Sequence, residues 1–69
     1  MELESINQYL GKNVILTLNN GFWYKARIIE VKEHSVNFIE LKGRLISVDP
    51  KSIILIEEKN LREARENEV

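Results

Sequence analysis

The chain has no cysteine, one histidine and one proline. Without cysteine, no disulfide can staple the fold. With His34 as the lone histidine, a zinc or other transition-metal site built from Cys and His is excluded, and no cofactor is expected. No apolar stretch approaches the ~18 residues that cross a membrane. The first residues, Met1 to Asn7, are acidic and lack the long apolar run of a secretory signal. The expectation is a cytoplasmic chain with no membrane partner. A formal net charge of −1 supplies no bulk attraction for nucleic acid, so a nucleic-acid site would have to be local. Catalytic patterns are missing as well. There is no cysteine nucleophile, no Ser–His–Asp spacing, no P-loop and no GxGxxG, and Glu30, Glu33 and Glu40 are too dispersed for a working carboxylate pair. No enzyme is expected.

What is present is enough for one small domain. Of the 69 residues, 43% are hydrophobic, which argues against disorder. A chain this short buries a modest share of its surface and usually needs a staple. With disulfides and metals removed, self-association is the staple left.

The pattern along the chain predicts a mainly β protein. Leu3, Ile6 and Leu10 recur at helical spacing, Ser5 with Gln8 fits a capping box, and Gly11 is a stop. A short helix is therefore expected over residues 2–10. Asn13 to Leu18 alternates as a strand, with Val14, Leu16 and Leu18 on one face. A three-residue loop ending at Gly21 pairs Leu18 with Phe22, Leu16 with Tyr24 and Val14 with Ala26. That register keeps apolar residues together and puts glycine at a left-handed bulge position. Phe22 and Tyr24 then face the core, and Trp23, Lys25 and Arg27 share the other face. Broken alternation at Ile28-Ile29 signals a bend or bulge. Further strands are expected over residues 35–41, 44–48 and 52–56, with a turn at Lys42-Gly43 and a break at Asp49-Pro50. The last three strands are apolar on both faces and need cover on both, which again points to a subunit interface. Residues 58–69 read as a charged, partly helical tail carrying the Glu58/Arg62 and Arg62/Glu66 pairs.

A short helix, five strands and glycine at the first hairpin resemble the Sm, LSm and Hfq family over about Ile6 to Glu57. Val14 to Gly21 looks like the family's first motif, an alternating strand followed by an Asn-Gly turn. Tyr24, Ala26 and Ile28 sit where the family has an apolar residue, a glycine and another apolar residue. Val48 to Ile53 falls where its second motif lies. The resemblance implies a strongly bent five-stranded antiparallel sheet of the Sm/SH3-like small-barrel kind over residues 13–57, a homo-oligomeric ring of six or seven subunits, and single-stranded RNA as ligand. It places His34 at the base-stacking position and Lys51 at a histidine position of Hfq. The family's loop-opening aspartate is Lys32 here. Its base-reading asparagine is Val36, with Asn37 one position late, so that only a bulge brings Asn37 to the required face.

The candidate site residues follow. Lys32, His34 and Lys51 would form a basic rim, concentrated by repetition around a ring, with His34 stacking on a base. Trp23, between Lys25 and Arg27, offers a second stacking platform or an anchor for a protein partner. Two other readings compete with RNA binding. One is an Sm-fold scaffold or protein-interaction module that has lost RNA binding, favoured by Val36 and by Asp49-Pro50. The other is a monomeric SH3-like barrel that binds DNA or a protein.

Overall fold

The computed structural model describes residues 1–59. It is mainly β, with one short helix followed by a five-stranded antiparallel sheet. The elements are α1 (Leu3–Asn7), β1 (Asn13–Leu18), β2 (Trp23–Val31), β3 (Val36–Glu40), β4 (Leu45–Val48), a 3-10 turn η1 (Pro50–Ser52) and β5 (Ile53–Glu58). The helical tail expected beyond Lys59 lies outside the described residues.

α1 is shorter than its periodicity suggests. Glu2 precedes it with no side-chain cap, so Ser5 and Gln8 form no capping box. After Asn7 the chain tightens into i→i+3 bonds, Tyr9 N to Ile6 O at 2.9 Å and Leu10 N to Asn7 O at 3.1 Å. Gly11, at φ +80°, then donates to Ile28 O at 2.7 Å. A helix this short can aim only one apolar side chain inward. Ile6 is fully buried, whereas Leu3 and Leu10 stay exposed.

The first hairpin takes the expected register. Leu16 faces Tyr24 and Val14 faces Ala26, Leu18 N donates to Phe22 O at 2.8 Å, and Gly21 has φ +90°. Phe22 departs from expectation. It is 62% exposed, because its N–H is bound to Asn20 Oδ1 at 3.0 Å and it belongs to the turn. Tyr24 is the hairpin aromatic that turns inward, with its ring 5.4 Å from that of Phe38.

Strand order is β4-β3-β2-β1-β5, and the sheet is not closed into a barrel. Among the described residues, β4 pairs only with β3 and β5 only with β1. The connection between these two edges nevertheless forces a tight curl. Val48 lies opposite Val36, at the Val31 end of β2, whereas Ile53 lies opposite Leu18, at the Trp23 end. In a flat sheet those ends would be ~19 Å apart across four strand gaps and ~30 Å apart along β2. The few residues from Val48 to Ile53 reach at most ~18 Å. The sheet must therefore roll up around its inner face.

Two bulges assist that roll. The β2–β3 register slips by one between Ile28 and Glu30, as the broken alternation at Ile28-Ile29 anticipates. The β1–β5 register slips between Thr17 and Leu18, opposite Ile53 to Leu55. The second bulge explains why Ile53 and Ile56, three residues apart, are both buried while Ile54 and Leu55 are exposed. β5 also runs on through Glu58, with Glu57 and Glu58 paired to Ile15 and Val14. Their charge does not stop the strand, because both side chains stay in water.

Inside the roll, Ile6, Val14, Leu16, Leu18, Ala26, Ile28, Val36, Phe38, Ile53 and Ile56 form the core. Pro50 of η1 is buried as well, and Asp49 Oδ1 caps η1 by accepting from Lys51 N at 2.8 Å.

Phe38 is the largest of the fully buried side chains. Phe38→Ala should cost about 3–5 kcal/mol, a large part of the ~5–15 kcal/mol that holds a small domain. A urea titration followed by tryptophan fluorescence should show the midpoint collapsing toward zero denaturant.

Candidate nucleic-acid interface

The β2–β3 turn carries two of the expected site residues. Val31 pairs with Val36, and Lys32 N donates to Ser35 O at 2.8 Å across the turn between them. His34 projects from it, its imidazole 85% exposed and Nε2 3.9 Å from a Glu33 carboxylate oxygen. Lys32 Nζ lies 3.6 Å from Glu30 Oε2. Asn37 follows Val36 on β3. Because Val36 and Phe38 point into the core, Asn37 points outward. The bulge after Ile28 sets Glu30 opposite it, and Asn37 Nδ2 donates to Glu30 Oε1 at 2.7 Å. One carboxylate thus joins Lys32 and Asn37.

Lys51 is on η1, three residues after Val48, which faces Val36. Among the described residues, no hydrogen bond or ion pair joins it to Lys32 or His34. Two cations of the expected rim have an acid close by, Glu30 beside Lys32 and Glu33 beside His34, whereas Asp49 accepts from the Lys51 backbone N–H. Such local compensation by Glu30 and Glu33 leaves little net attraction for a phosphate chain at the turn.

The outer face of β2 is different. Trp23, Lys25 and Arg27 alternate outward as expected, and Trp23 is 59% exposed. They lie opposite Thr17, Ile15 and Asn13 of β1, and Arg27 Nε approaches Asn13 Oδ1 at 3.4 Å. On the other side, Leu41 N donates to Lys25 O at 3.0 Å, which brings the β3–β4 turn alongside. At this end of the sheet a shallow hollow draws on both faces: Trp23 and Lys25 come from outward positions of β2, Tyr24 and Glu40 from inward positions of β2 and β3, and Leu41, Lys42 and Arg44 from the β3–β4 turn. A neighbouring hollow that shares Glu40 and Leu41 continues it to Arg27 and Asn13. In the first, three cations accompany a single carboxylate, Glu40.

That carboxylate already has a partner. Glu40 follows Val36 and Phe38 on the inward-facing positions of β3, where the core gives out, and its side chain is only 10% exposed. Arg44 reaches it across the β3–β4 turn. Gly43 makes the turn at φ +95°, Gly43 N donates to Glu40 O at 2.8 Å, and Glu40 N donates to Arg44 O at 3.0 Å. Arg44 Nε donates to Glu40 Oε1 at 2.6 Å and Nη2 to Oε2 at 3.2 Å, the two-pronged form of a charge-assisted pair. Among the described residues no buried side-chain nitrogen or oxygen lacks a partner. The Arg44 hydrogen bond holds the Glu40 carboxyl below its ordinary pKa, and the partial burial of the acid opposes this.

Sequence reading reached Trp23 and Arg27 and passed over Lys42, Arg44 and Glu40. The available signal was the Glu40-x-x-x-Arg44 spacing across Lys42-Gly43. An acid at the end of an otherwise inward-facing apolar row, with a cation just beyond a tight turn, marks a closed ion pair.

Comparison of the chain with protein-family models, with curated proteins and with solved structures finds no match.

Because Glu40 holds its proton less readily folded than unfolded, the pair stabilises the fold fully above the ordinary carboxylate pKa of 4.5. That contribution fades as pH falls through the lowered folded value. Glu40→Gln should lower the urea midpoint at pH 7 and have progressively less effect below pH 4. An equal loss at both pH values would mean that shape, not charge, is what Glu40 contributes.

Proposed function

We propose that the chain is a self-associating binding module of the Sm/LSm/Hfq kind that holds single-stranded RNA by base stacking and phosphate contacts. The observation that carries this reading is one hollow lined by the exposed Trp23 together with Lys25, Lys42 and Arg44, in which, among the described residues, Glu40 is the only acid and is already paired. An aromatic face accepts any base, and surrounding cations hold the phosphates. Arg27 extends the cationic track toward Asn13. The β2–β3 turn is a weaker claimant for phosphate, because Glu30 and Glu33 offset its cations, although the exposed ring of His34 keeps it available for stacking.

Self-association rests on the two unpaired edges. Among the described residues, β4 and β5 each have one strand partner, and both carry exposed apolar side chains, Leu45 on β4 and Ile54 and Leu55 on β5. Open apolar edges invite pairing with another chain. The two edges differ, so a head-to-tail contact satisfies both with one interface, and it forms a ring where the rotation closes. Repeating a weak RNA site around such a ring multiplies affinity.

One observation favours the scaffold reading. Ile39 and Leu45 pair across β3 and β4, and together with the exposed Leu41 they make an apolar patch next to the hollow. A protein partner on that patch would bind with little salt dependence, whereas RNA binding should weaken steeply as salt rises.

Trp23→Ala should weaken binding of oligo(U) or oligo(A) RNA about 5- to 150-fold, the equivalent of ~1–3 kcal/mol for one stacked base, measured by fluorescence anisotropy. His34→Ala should cost less. The reverse order would return the site to the β2–β3 turn.

Native mass spectrometry should give multiples of the 8.1 kDa chain, sixfold or sevenfold for a closed ring. Leu55→Lys, an exposed-edge change, should shift the mass to monomer and leave the far-UV circular dichroism unchanged. A wild-type monomer at micromolar concentration would remove the ring.

A further inference from the structure

We infer that Arg44 is the residue of the Trp23 hollow that grips a phosphate group, and that Glu40 is the positioning residue that holds its guanidinium in place. The inference rests on the RNA-binding reading above and deepens it.

A guanidinium has five N–H donors in a fixed planar fork. Glu40 takes the edge formed by Nε and one N–H of Nη2. The remaining donors belong to Nη1 and the outer side of Nη2. They form a second two-pronged edge, and the Arg44 side chain is 71% exposed. Such an edge matches two oxygens of one phosphate. The holding carboxylate cannot swing away easily. Its side chain is 10% exposed, and its backbone is held in the β3–β4 turn, Glu40 N donating to Arg44 O at 3.0 Å and Glu40 O accepting from Gly43 N at 2.8 Å.

The other cations of the surface differ. Among the described residues, Lys25 and Lys42 make no side-chain hydrogen bond or ion pair, and Arg27 makes one long contact at 3.4 Å. They contribute charge without fixed direction. Arg44 combines restricted rotamers with a free donor edge, which reduces the ordering cost of binding. The ligand chemistry this selects is the phosphodiester of a strand whose neighbouring base lies on Trp23.

A purely structural role for the pair, closing the end of the core, predicts lost stability and no specific effect on RNA. Simple electrostatics predicts that removing the Glu40 charge tightens RNA binding, because the site gains one net positive charge. Positioning predicts the opposite sign.

The test measures affinity for oligo(U) and oligo(A) RNA across a salt series, with urea midpoints recorded for every variant. Arg44→Lys keeps the charge, loses the fork and lies at an exposed position, so it should stay folded. It should bind about tenfold more weakly, with a salt slope close to that of the wild type. Glu40→Gln should also bind more weakly despite the added net charge. Lys42→Ala should instead flatten the salt slope by about 0.7. Wild-type affinity in Arg44→Lys, or tighter binding in Glu40→Gln, overturns the inference while Trp23→Ala still upholds the RNA reading. A wild-type protein that binds neither RNA overturns both.

Discussion

The short link from β4 to β5 governs this fold. Val48 and Ile53 belong to opposite edges and opposite ends of the sheet, yet only Asp49 to Ser52 separate them. Chain length alone forbids a flat sheet. The link is also stiffened: Pro50 is buried, Asp49 caps the turn, and Ser52 O accepts from Asn19 N at 2.8 Å. Curl, bulges and the placement of the core all follow from this requirement.

Rolling the sheet divides its two faces sharply. The inner face takes Leu16, Ile28, Phe38 and Ile53 out of water, with Ile6 from α1 over them. The outer face is left with whatever alternation puts there, and on β2 that is Trp23, Lys25 and Arg27. Where the inner face ends, β3 still needs an inward residue, and it has Glu40. A nearly buried carboxylate without a partner is costly. The β3–β4 turn brings Arg44 back to it. The ion pair thus comes from the geometry of the core's end, and the same geometry brings a cation to the rim of the Trp23 hollow.

The proposed assembly edges and the proposed binding hollow are distinct features of the sheet. The open edges of β4 and β5 carry Leu45, Ile54 and Leu55, whereas the hollow sits between β2 and the β3–β4 turn. A protein of near-neutral net charge can in this way concentrate positive charge on one outer surface. Among the described residues, Glu30 and Glu33 lie at the β2–β3 turn and Glu57 and Glu58 on β5.

Local rules made much of the architecture legible in the amino-acid order. Alternation identified β1 and the faces of Trp23, Lys25 and Arg27, glycine chemistry at Gly21 set the hairpin register, and the doubled isoleucine at Ile28-Ile29 marked a bulge. These depend on neighbours within a few residues, so the chain states them directly. The exposure of Phe22, the early end of α1, the second bulge beside Ile54 and the extension of β5 to Glu58 depended on what lies across the sheet, which no local pattern records. The site divides in the same way. Trp23 and Arg27 were visible as outward positions. The balance of charge around them was not, because Glu40, Lys42 and Arg44 meet β2 only through strand pairing, and the carboxylates beside Lys32 and His34 acquire meaning only as distances. Sequence determines which way a side chain points along its own strand; the tertiary fold decides which charges share its surroundings, because the electrostatics of a site depend on separation in space and not along the chain.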